Sequence, residues 1–192
     1  MKNDFVFDKI FDDSLKDHKN LFENIKNIYE KIKDTAQLCA ETIKNKNTIF
    51  TCGNGGSASD AEHISAEFLG RFMKERESLP SIALSSNSAA LTAIANDYDY
   101  ENIFSRQLSG MAKKGDILLA LSTSGSSKNV LKVIEQAKLM NLKTILLTSQ
   151  RGIDLKNIVD ICILVPSTST PRIQEAHGFI GHLICEYVDE FF

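Results

Sequence analysis

The chain has 192 residues, of which 43% are hydrophobic and 24% charged, with a formal net charge of −3 at pH 7. This length and composition suit a single folded domain with a substantial core and exclude a disordered chain. The small negative charge, without a long block of Lys or Arg, argues against nucleic-acid binding as the main function.

The sequence shows no sign of export or membrane insertion. The N-terminus lacks a secretory pattern, and no run of about 18 apolar residues could span a bilayer. The four cysteines are widely spaced without a CxxC motif, and three lie in apolar runs where a buried free thiol is the usual state. We therefore expect a cytoplasmic protein with reduced cysteines and no membrane partner.

The N-terminal region is predicted to be a short arm followed by a long helix. Residues 1–13 show no clear hydrophobic period, whereas Leu21, Ile25 and Ile32 recur at helical spacing within 15–44. A second apolar row beside them widens the stripe on a helix of about 30 residues, which is long for a domain of this size. We expect this helix to pack on its own domain and on a neighbouring subunit.

A glycine turn, Gly53–Ser57, follows the first predicted strand. Three glycines in four positions break regular structure and let the backbone approach a bound group. Ser57 is predicted to cap a helix that extends to about Arg71, and the free N–H groups at a helix start attract anions. On this helix His63 and Glu67 are four residues apart and therefore share one face. The pattern indicates an active site, although a tight turn and an ordinary surface His–Glu pair would also explain it.

Apolar runs alternate with helical patterns along the rest of the chain. The predicted strands are 48–52, 80–85, 117–122, 143–148 and 158–165. Later helices are predicted at 88–95, at 103–113, after the loop 122–127 as far as Asn141, and at 172–192. The polar run 96–99 is predicted to be a turn. Short apolar strands that alternate with helices predict a parallel sheet covered on both faces, a three-layer αβα sandwich. Ligands of such sheets bind beyond the carboxyl ends of the strands, so the glycine turn and the loop 122–127 are expected at one rim.

The loop Ser122–Ser127 contains five hydroxyl groups at the start of a helix. Hydroxyl donors, free N–H groups and the positive end of a helix together suit a phosphate monoester. Neither the P-loop pattern nor the dinucleotide-binding GxGxxG pattern is present. The alternative is a serine-rich connector with an ordinary helix cap.

A divalent metal such as zinc would find suitable N and O ligands in His63, Glu67, Gln174 and His182. Gln174 and His182 lie on the last predicted helix, where eight residues advance about 12 Å. Two such residues cannot readily reach one ion from the middle of one helix. Either Gln174 lies at the helix start and reaches inward, or the two ligands come from different subunits.

Two further histidines are expected to have minor roles. His177, also on the last helix, is expected beside the ligands or at the surface, and His18 at the surface.

Several runs of residues resemble the signatures of the phosphoheptose isomerases, which are sugar isomerase (SIS) domain proteins. The first signature is matched by 52–57, 60–63, 66–67 and 70–72, and the later ones by 96–97, 122–127, 172–175 and His182. The resemblance covers nearly the whole chain after the first helix. Asp99 departs from the glycine that is often found at its position, which affects the expected conformation of that turn.

The resemblance implies an α/β SIS domain over residues 1–192, with a flavodoxin-like five-stranded parallel sheet and residues 1–45 involved in oligomerisation. It implies a homotetramer with active sites at subunit interfaces. The implied reaction converts D-sedoheptulose 7-phosphate to D-glycero-D-manno-heptose 7-phosphate, the first step of bacterial heptose biosynthesis.

The resemblance also implies a role for each matching residue. The zinc ligands would be His63, Glu67, Gln174 and His182. The phosphate would be held by Ser57, Ser122, Thr123, Ser124 and Ser127. The sugar would be contacted by Asn54, Gly55, Gly56, Asn96 and Asp97, with Arg71, Glu67 and Gln174 also at the substrate.

Aldose–ketose isomerisation moves a proton between C1 and C2 and needs an acid at the oxygens. Glu67 is predicted to be the base and His182 its partner. Because metal ligation and base catalysis compete for the same carboxylate lone pairs, we expect Glu67 to shift its coordination. Two alternatives have different functions: a non-catalytic tetrameric SIS-domain protein that binds a replication initiator, and a sugar-phosphate sensor. The interaction protein would not need the four proposed ligands together, and the sensor would keep the serine loop but could dispense with the acid–base pair.

Overall fold

The computed structural model describes the backbone of residues 2–192 and the side chains from Phe5 onwards. A five-stranded sheet in the order β2-β1-β3-β4-β5, with every pair parallel, forms its centre. The strands are β1 (Ile49–Cys52), β2 (Ser81–Ala83), β3 (Ile117–Leu121), β4 (Lys143–Ser149) and β5 (Ile161–Val165). This strand order is that of flavodoxin-like doubly wound folds, as the resemblance implied.

Helices cover both faces of the sheet. One face carries α2 (Tyr29–Lys44), α3 (Gly56–Leu69) and α7 (Thr170–Asp189), and the other carries α4 (Ser88–Asp97), α5 (Ser105–Met111) and α6 (Lys128–Leu139). Alternate residues of β3 point into the two cores, with Leu119 in the first and Leu118 in the second. Strands buried on both faces read as continuous apolar runs, which is why their positions were predictable. The three-layer prediction is confirmed.

The N-terminal prediction was wrong in two respects. Helix α1 (Lys2–Asn24) includes the residues that were predicted to be an arm. A 3₁₀ turn (Ile25–Ile28) separates α1 from α2, so the long helix is interrupted. Phe7, Phe11 and Leu15 recur every four residues, which is a helical pattern, but all three are exposed in the chain. The period was missed because this apolar stripe has no core of its own to face.

Two other predicted boundaries shift for local reasons. Strand β5 begins at Ile161 because the residues Gln150–Asn157 before it form 3₁₀ turns. The residues predicted as a polar turn at 96–99 are partly helical, since α4 continues to Asp97.

All four cysteines are buried free thiols, as expected. Burial raises the pKa of Cys39 and Cys52 well above the ordinary value, and it raises the pKa of Cys185 to about 12. These thiols are therefore unreactive at neutral pH. Across residues 2–192, the helices are too short or too polar to cross a membrane.

Candidate active site

The glycine turn has the close packing that its composition predicted. A side-chain carbon on Gly53 would lie 2.3 Å from the carbonyl oxygen of Ser57, and Gly55 has a φ of +56°. Both positions therefore favour glycine. The predicted capping role of Ser57 is wrong, because α3 starts at Gly56 and Ser57 is buried in its first turn.

His63, Glu67 and His182 form one group on the packed helices α3 and α7. Nε2 of His63 lies 2.9 Å from Oε1 of Glu67, within hydrogen-bonding distance. The rings of His63 and His182 meet edge to face, with centroids 5.0 Å apart. Gly181 permits this approach, since a side-chain carbon there would come within 2.7 Å of Ile64. The tertiary fold thus brings together three of the four predicted metal ligands.

This group has a donor set that fits a divalent metal ion. One possible ligand atom from each of His63, Glu67 and His182 lies within 4.8 Å of the other two. Two imidazole nitrogens and one carboxylate oxygen are the protein ligands of many catalytic zinc sites, in which a fourth position stays open. His63 is exposed and the other two are half-buried, so an ion and a substrate could reach them.

Phe72 is a part of this site that the sequence reasoning did not assign. Its ring stacks on the imidazole of His182, with centroids 5.3 Å apart and an interplanar angle of 28°. The stacking restricts the orientation of the imidazole. The signal in the sequence was an aromatic residue just beyond the end of α3, but its partner is distant in the chain.

Gln174 lies on the same helix as His182 and contacts the glycine turn. It is the fifth residue of α7, and a side-chain carbon on Gly56 would come 2.2 Å from its Nε2 atom. About two helical turns separate Gln174 from His182, close to 12 Å of rise. Gln174 is therefore not at the extreme start of the helix, and its contact is with the glycine turn. Its role as a metal ligand stays a prediction.

The serine loop, Ser122–Ser127, is ordered by its own hydrogen bonds. The hydroxyl of Ser122 accepts a bond from the Gly125 amide at 3.2 Å and donates to Ser127 at 3.4 Å. The hydroxyl of Ser124 accepts from the amide of Ser126 at 3.2 Å. Helix α6 starts directly after the loop, so free N–H groups and hydroxyls face the same region. This arrangement suits a phosphate group.

A polar cluster joins the glycine turn to the serine loop. Asn54 and Asn129 exchange two amide hydrogen bonds, each 2.8 Å long, and the Tyr100 hydroxyl donates to Oδ1 of Asn54 at 3.1 Å. The two loops therefore lie at one rim of the sheet, as predicted. Asn129 and Tyr100 were missed by the sequence reasoning. The signal available in the sequence for Asn129 was its position directly after the serine loop, in the first turn of α6.

The remaining predicted substrate residues lie at the surface. Asn96 donates to Asp97 at 2.8 Å, and both are exposed at the end of α4. Arg71 follows the end of α3 and forms an exposed ion pair with Glu75 at 3.5 Å. These residues have no contact here that indicates a function, and their roles in binding stay predictions.

The two remaining histidines both contact other elements of the fold. His177 is fully buried between α7 and β4, so the alternative that placed it at the surface was wrong. Burial lowers its pKa to about 4, against a small opposing effect of the Thr148 carbonyl. His18 is part-exposed, but it is hydrogen-bonded to Glu175 at 2.8 Å and stacks on Phe22. It therefore links α1 to α7.

Known proteins resemble this chain over nearly its full length. Residues 15–149 match the SIS domain family. A phosphoheptose isomerase from Nitratiruptor sp. is 50% identical over 179 residues, which cover 93% of this chain and 96% of that protein. One from Helicobacter pylori (strain P12) is 46% identical, with 91% and 92% coverage. The solved structure of phosphoheptose isomerase from Neisseria gonorrhoeae superposes with a TM-score of 0.90 at 32% identity, with 96% and 99% coverage.

Proposed function

The chain belongs to the phosphoheptose isomerases of the SIS-domain family, and we propose that it converts D-sedoheptulose 7-phosphate to D-glycero-D-manno-heptose 7-phosphate. The reaction is the first step of heptose biosynthesis. The observation that supports it most directly is the group His63, Glu67 and His182, assembled from two helices. A sugar-phosphate sensor or a non-catalytic interaction protein would have no need of this group.

Glu67 is proposed to transfer the proton between C1 and C2 of the sugar. Its bond to His63 involves Oε1, which leaves Oε2 of the same carboxylate for the proton. His182 is proposed to exchange protons with the sugar oxygens, because the stacked Phe72 ring holds its imidazole in place. A base on one side and an acid at the oxygens are what enediol proton transfer requires.

We propose zinc as the ion of this site. When bound, a divalent cation would polarise the oxygens of the substrate and favour loss of the neighbouring proton. His63, Glu67 and His182 of one chain would hold it, with Gln174 of a neighbouring subunit as the fourth ligand. This arrangement would explain why Gln174 and His182 are two helical turns apart in the same helix.

A shared site requires an assembly, and we propose a homotetramer. The exposed apolar stripe of α1, which includes Phe7, Phe11 and Leu15, offers a surface for subunit contacts. Residues 1–45 would thus belong to the assembly as well as to a single domain of residues 1–192. A cytoplasmic location agrees with the four reduced cysteines.

The phosphate of the substrate is proposed to bind the serine loop. Hydroxyls and the start of α6 would hold its oxygens through Ser122, Thr123, Ser124 and Ser127, with Ser57 at the start of α3. The sugar would then extend over the glycine turn toward Glu67, past Asn54, Gly55 and Gly56. Asn96, Asp97, Arg71 and Gln174 would complete the contacts.

The test is conversion of the substrate followed by NMR. The zinc-loaded protein is incubated with sedoheptulose 7-phosphate, and the anomeric signals of the aldose are monitored; an EDTA-treated sample reports the metal requirement. We expect conversion by the zinc-loaded protein. No conversion with or without zinc would overturn the proposal and favour a sensor or an interaction protein.

A further inference from the structure

A buried ion pair lies beneath the proposed catalytic group. The segment after α3, residues 70–80, leads to β2 without regular structure, and Arg76 lies within it. Nε of Arg76 is 2.7 Å from Oδ1 of Asp189, the last residue of α7. The exposed fraction of these side chains is 0% and 1%, respectively. A salt bridge so fully removed from water is unusual and calls for an explanation.

Arg76 is bonded directly to the end of the helix that carries Glu67. Its guanidinium donates to the carbonyl oxygen of Glu67 at 2.8 Å and to that of Phe68 at 2.9 Å. These carbonyls belong to the last turn of α3, where helix geometry leaves them without partners in the helix. A cation at this end of a helix is also favoured by the helix dipole. Arg76 therefore holds the backbone of Glu67.

Asp189 is bonded to the backbone next to Phe72. Its Oδ2 atom accepts from the amides of Met73 at 2.8 Å and Lys74 at 3.0 Å. Burial raises the pKa of Asp189, but the hydrogen bonds from Arg76 and these amides lower it more, so the carboxylate stays ionised. The backbone that follows Phe72 is thereby tied to α7, the helix that carries His182.

The ion pair thus reaches both proposed catalytic groups through short paths. One path runs from Arg76 to the carbonyl of Glu67, and the other from Asp189 through Met73 to the Phe72 ring on His182. Stability alone is a weak reason to retain such a pair, because well-packed apolar residues often replace buried ion pairs without loss. Directional hydrogen bonds to two backbone segments are what apolar residues could not supply.

We propose that Arg76 and Asp189 are positioning residues for the isomerase reaction, which set the geometry of Glu67 and His182. The inference rests on the proposed function, because it needs Glu67 and His182 to act together. The hydrogen bonds of Arg76 and Asp189 go to each other and to residues 67–77, away from the serine loop. Phosphate binding should therefore be independent of the ion pair. Changes to the pair should therefore affect metal affinity and kcat, and leave KM nearly unchanged.

The central experiment compares two proteins. One carries the single substitution Asp189→Asn, and the other carries both Arg76→Met and Asp189→Leu. The neighbouring Glu190→Gln is the matched control, since it removes the exposed ion pair of Glu190 with Lys74, 2.7 Å long, from the same two segments. Zinc affinity by calorimetry, kcat, KM and thermal unfolding are measured for each. Residues that orient metal ligands typically change affinity or activity by about 10- to 100-fold when mutated.

We expect Asp189→Asn to reduce zinc affinity and kcat at least about 10-fold, with little change in KM. The double variant leaves no buried charge unpaired, so it should unfold at a higher temperature than Asp189→Asn and still have the low zinc affinity and kcat. Glu190→Gln should behave as the wild type. A role in folding alone would instead restore activity together with stability.

Three results would overturn the proposal. They are a double variant with wild-type kcat and zinc affinity, an Asp189→Asn protein indistinguishable from Glu190→Gln, and unfolding of every variant of the pair, which would assign it to folding alone. A wild-type protein that neither binds zinc nor converts the sugar would refute the proposed function itself. Normal wild-type conversion with unaffected variants would refute only the positioning role.

Discussion

The two halves of the candidate site are built differently. Within the serine loop, Ser122–Ser127, hydrogen bonds join residues two to five positions apart, and Ser149 also donates to the Thr123 carbonyl at 2.7 Å. The catalytic half, His63, Glu67, Phe72 and His182, depends on contacts between distant parts of the chain, such as the bond from Met73 to Asp189 across 116 positions. A local loop tolerates small movements of the helices, whereas the catalytic half loses its geometry if α3 and α7 shift. We infer that the first half serves binding and the second serves chemistry.

The sharpest test of this difference is removal of the acid–base groups. Glu67→Gln and His182→Ala should each reduce kcat about 10²- to 10⁴-fold, the usual effect of losing a general acid or base. The variants should still assemble, as measured by size-exclusion chromatography. Glu62→Gln, an exposed change on the same helix, is the control. Substantial remaining activity in either variant would show that chemistry does not depend on this half.

The serine loop should give the opposite kinetic pattern. Ser124→Ala removes a hydroxyl proposed to bind the phosphate, and a hydrogen bond to a charged group contributes about 1.5–3 kcal/mol. We expect KM for the sugar phosphate to rise about tenfold or more, with kcat changed much less. Ser109→Ala, an exposed change on α5, should leave both constants unchanged. An equal loss of kcat would contradict the division into binding and chemical halves.

His177 lies against the Thr148 carbonyl of β4, next to Ser149, whose hydroxyl donates to the Thr123 carbonyl of the serine loop. Its folded pKa of about 4 is below the unfolded value near 6.5, so only the unfolded chain gains a proton as the pH falls between these values. The folded state should therefore lose up to about 3 kcal/mol from this residue between pH 6.5 and 4.

The change is measured by urea unfolding of the metal-free protein. His177→Gln should have a shallower decline of unfolding free energy over this pH range than the wild type. Above pH 7 the histidine is neutral in both states, so its protonation there contributes nothing to the difference. Parallel pH profiles for the two proteins would show that His177 is not buried in its neutral form.

The smallest predicted effect concerns Asp99, beside the binding half. Its backbone, with φ of 156° and ψ of 154°, lies in a region that is strained for any residue except glycine. Tyr100, the next residue, bonds Asn54 of the glycine turn, so the strained turn supports the rim. Asp99→Gly should stabilise the fold by about 1 kcal/mol, since relief of strain exceeds the entropic cost of glycine.

Thermal unfolding measures this change, with Asp99→Ala as the comparison. Alanine keeps the strain because it has a Cβ atom, so it should not stabilise the protein. Equal stability of the two variants would mean that the turn is relaxed in solution.

Much of the fold could be predicted because apolar runs and helical patterns alternate along the sequence. The buried strands, including Ile117–Leu121, are apolar runs separated by helical patterns, and this alternation permits few arrangements. The failures have physical causes as well. Residues 2–24 form one helix, but the apolar stripe of its first half, with Phe7, Phe11 and Leu15, is exposed in the chain. Gly55 takes the capping position predicted for Ser57 because the turn requires a positive φ.

The individual segments of the site could be predicted from the sequence more readily than the contacts between them. His63 and Glu67 share a face because of helical geometry, and the serine loop is local, so the sequence by itself determined these features. Only the tertiary structure brought His182 to His63, stacked Phe72 on it and buried Arg76 against Asp189. Local geometry depends on spacing along the chain, whereas these contacts depend on how α3 and α7 pack, which no spacing encodes. The spacing of Gln174 and His182 along α7 is what led us to propose that a neighbouring subunit supplies Gln174.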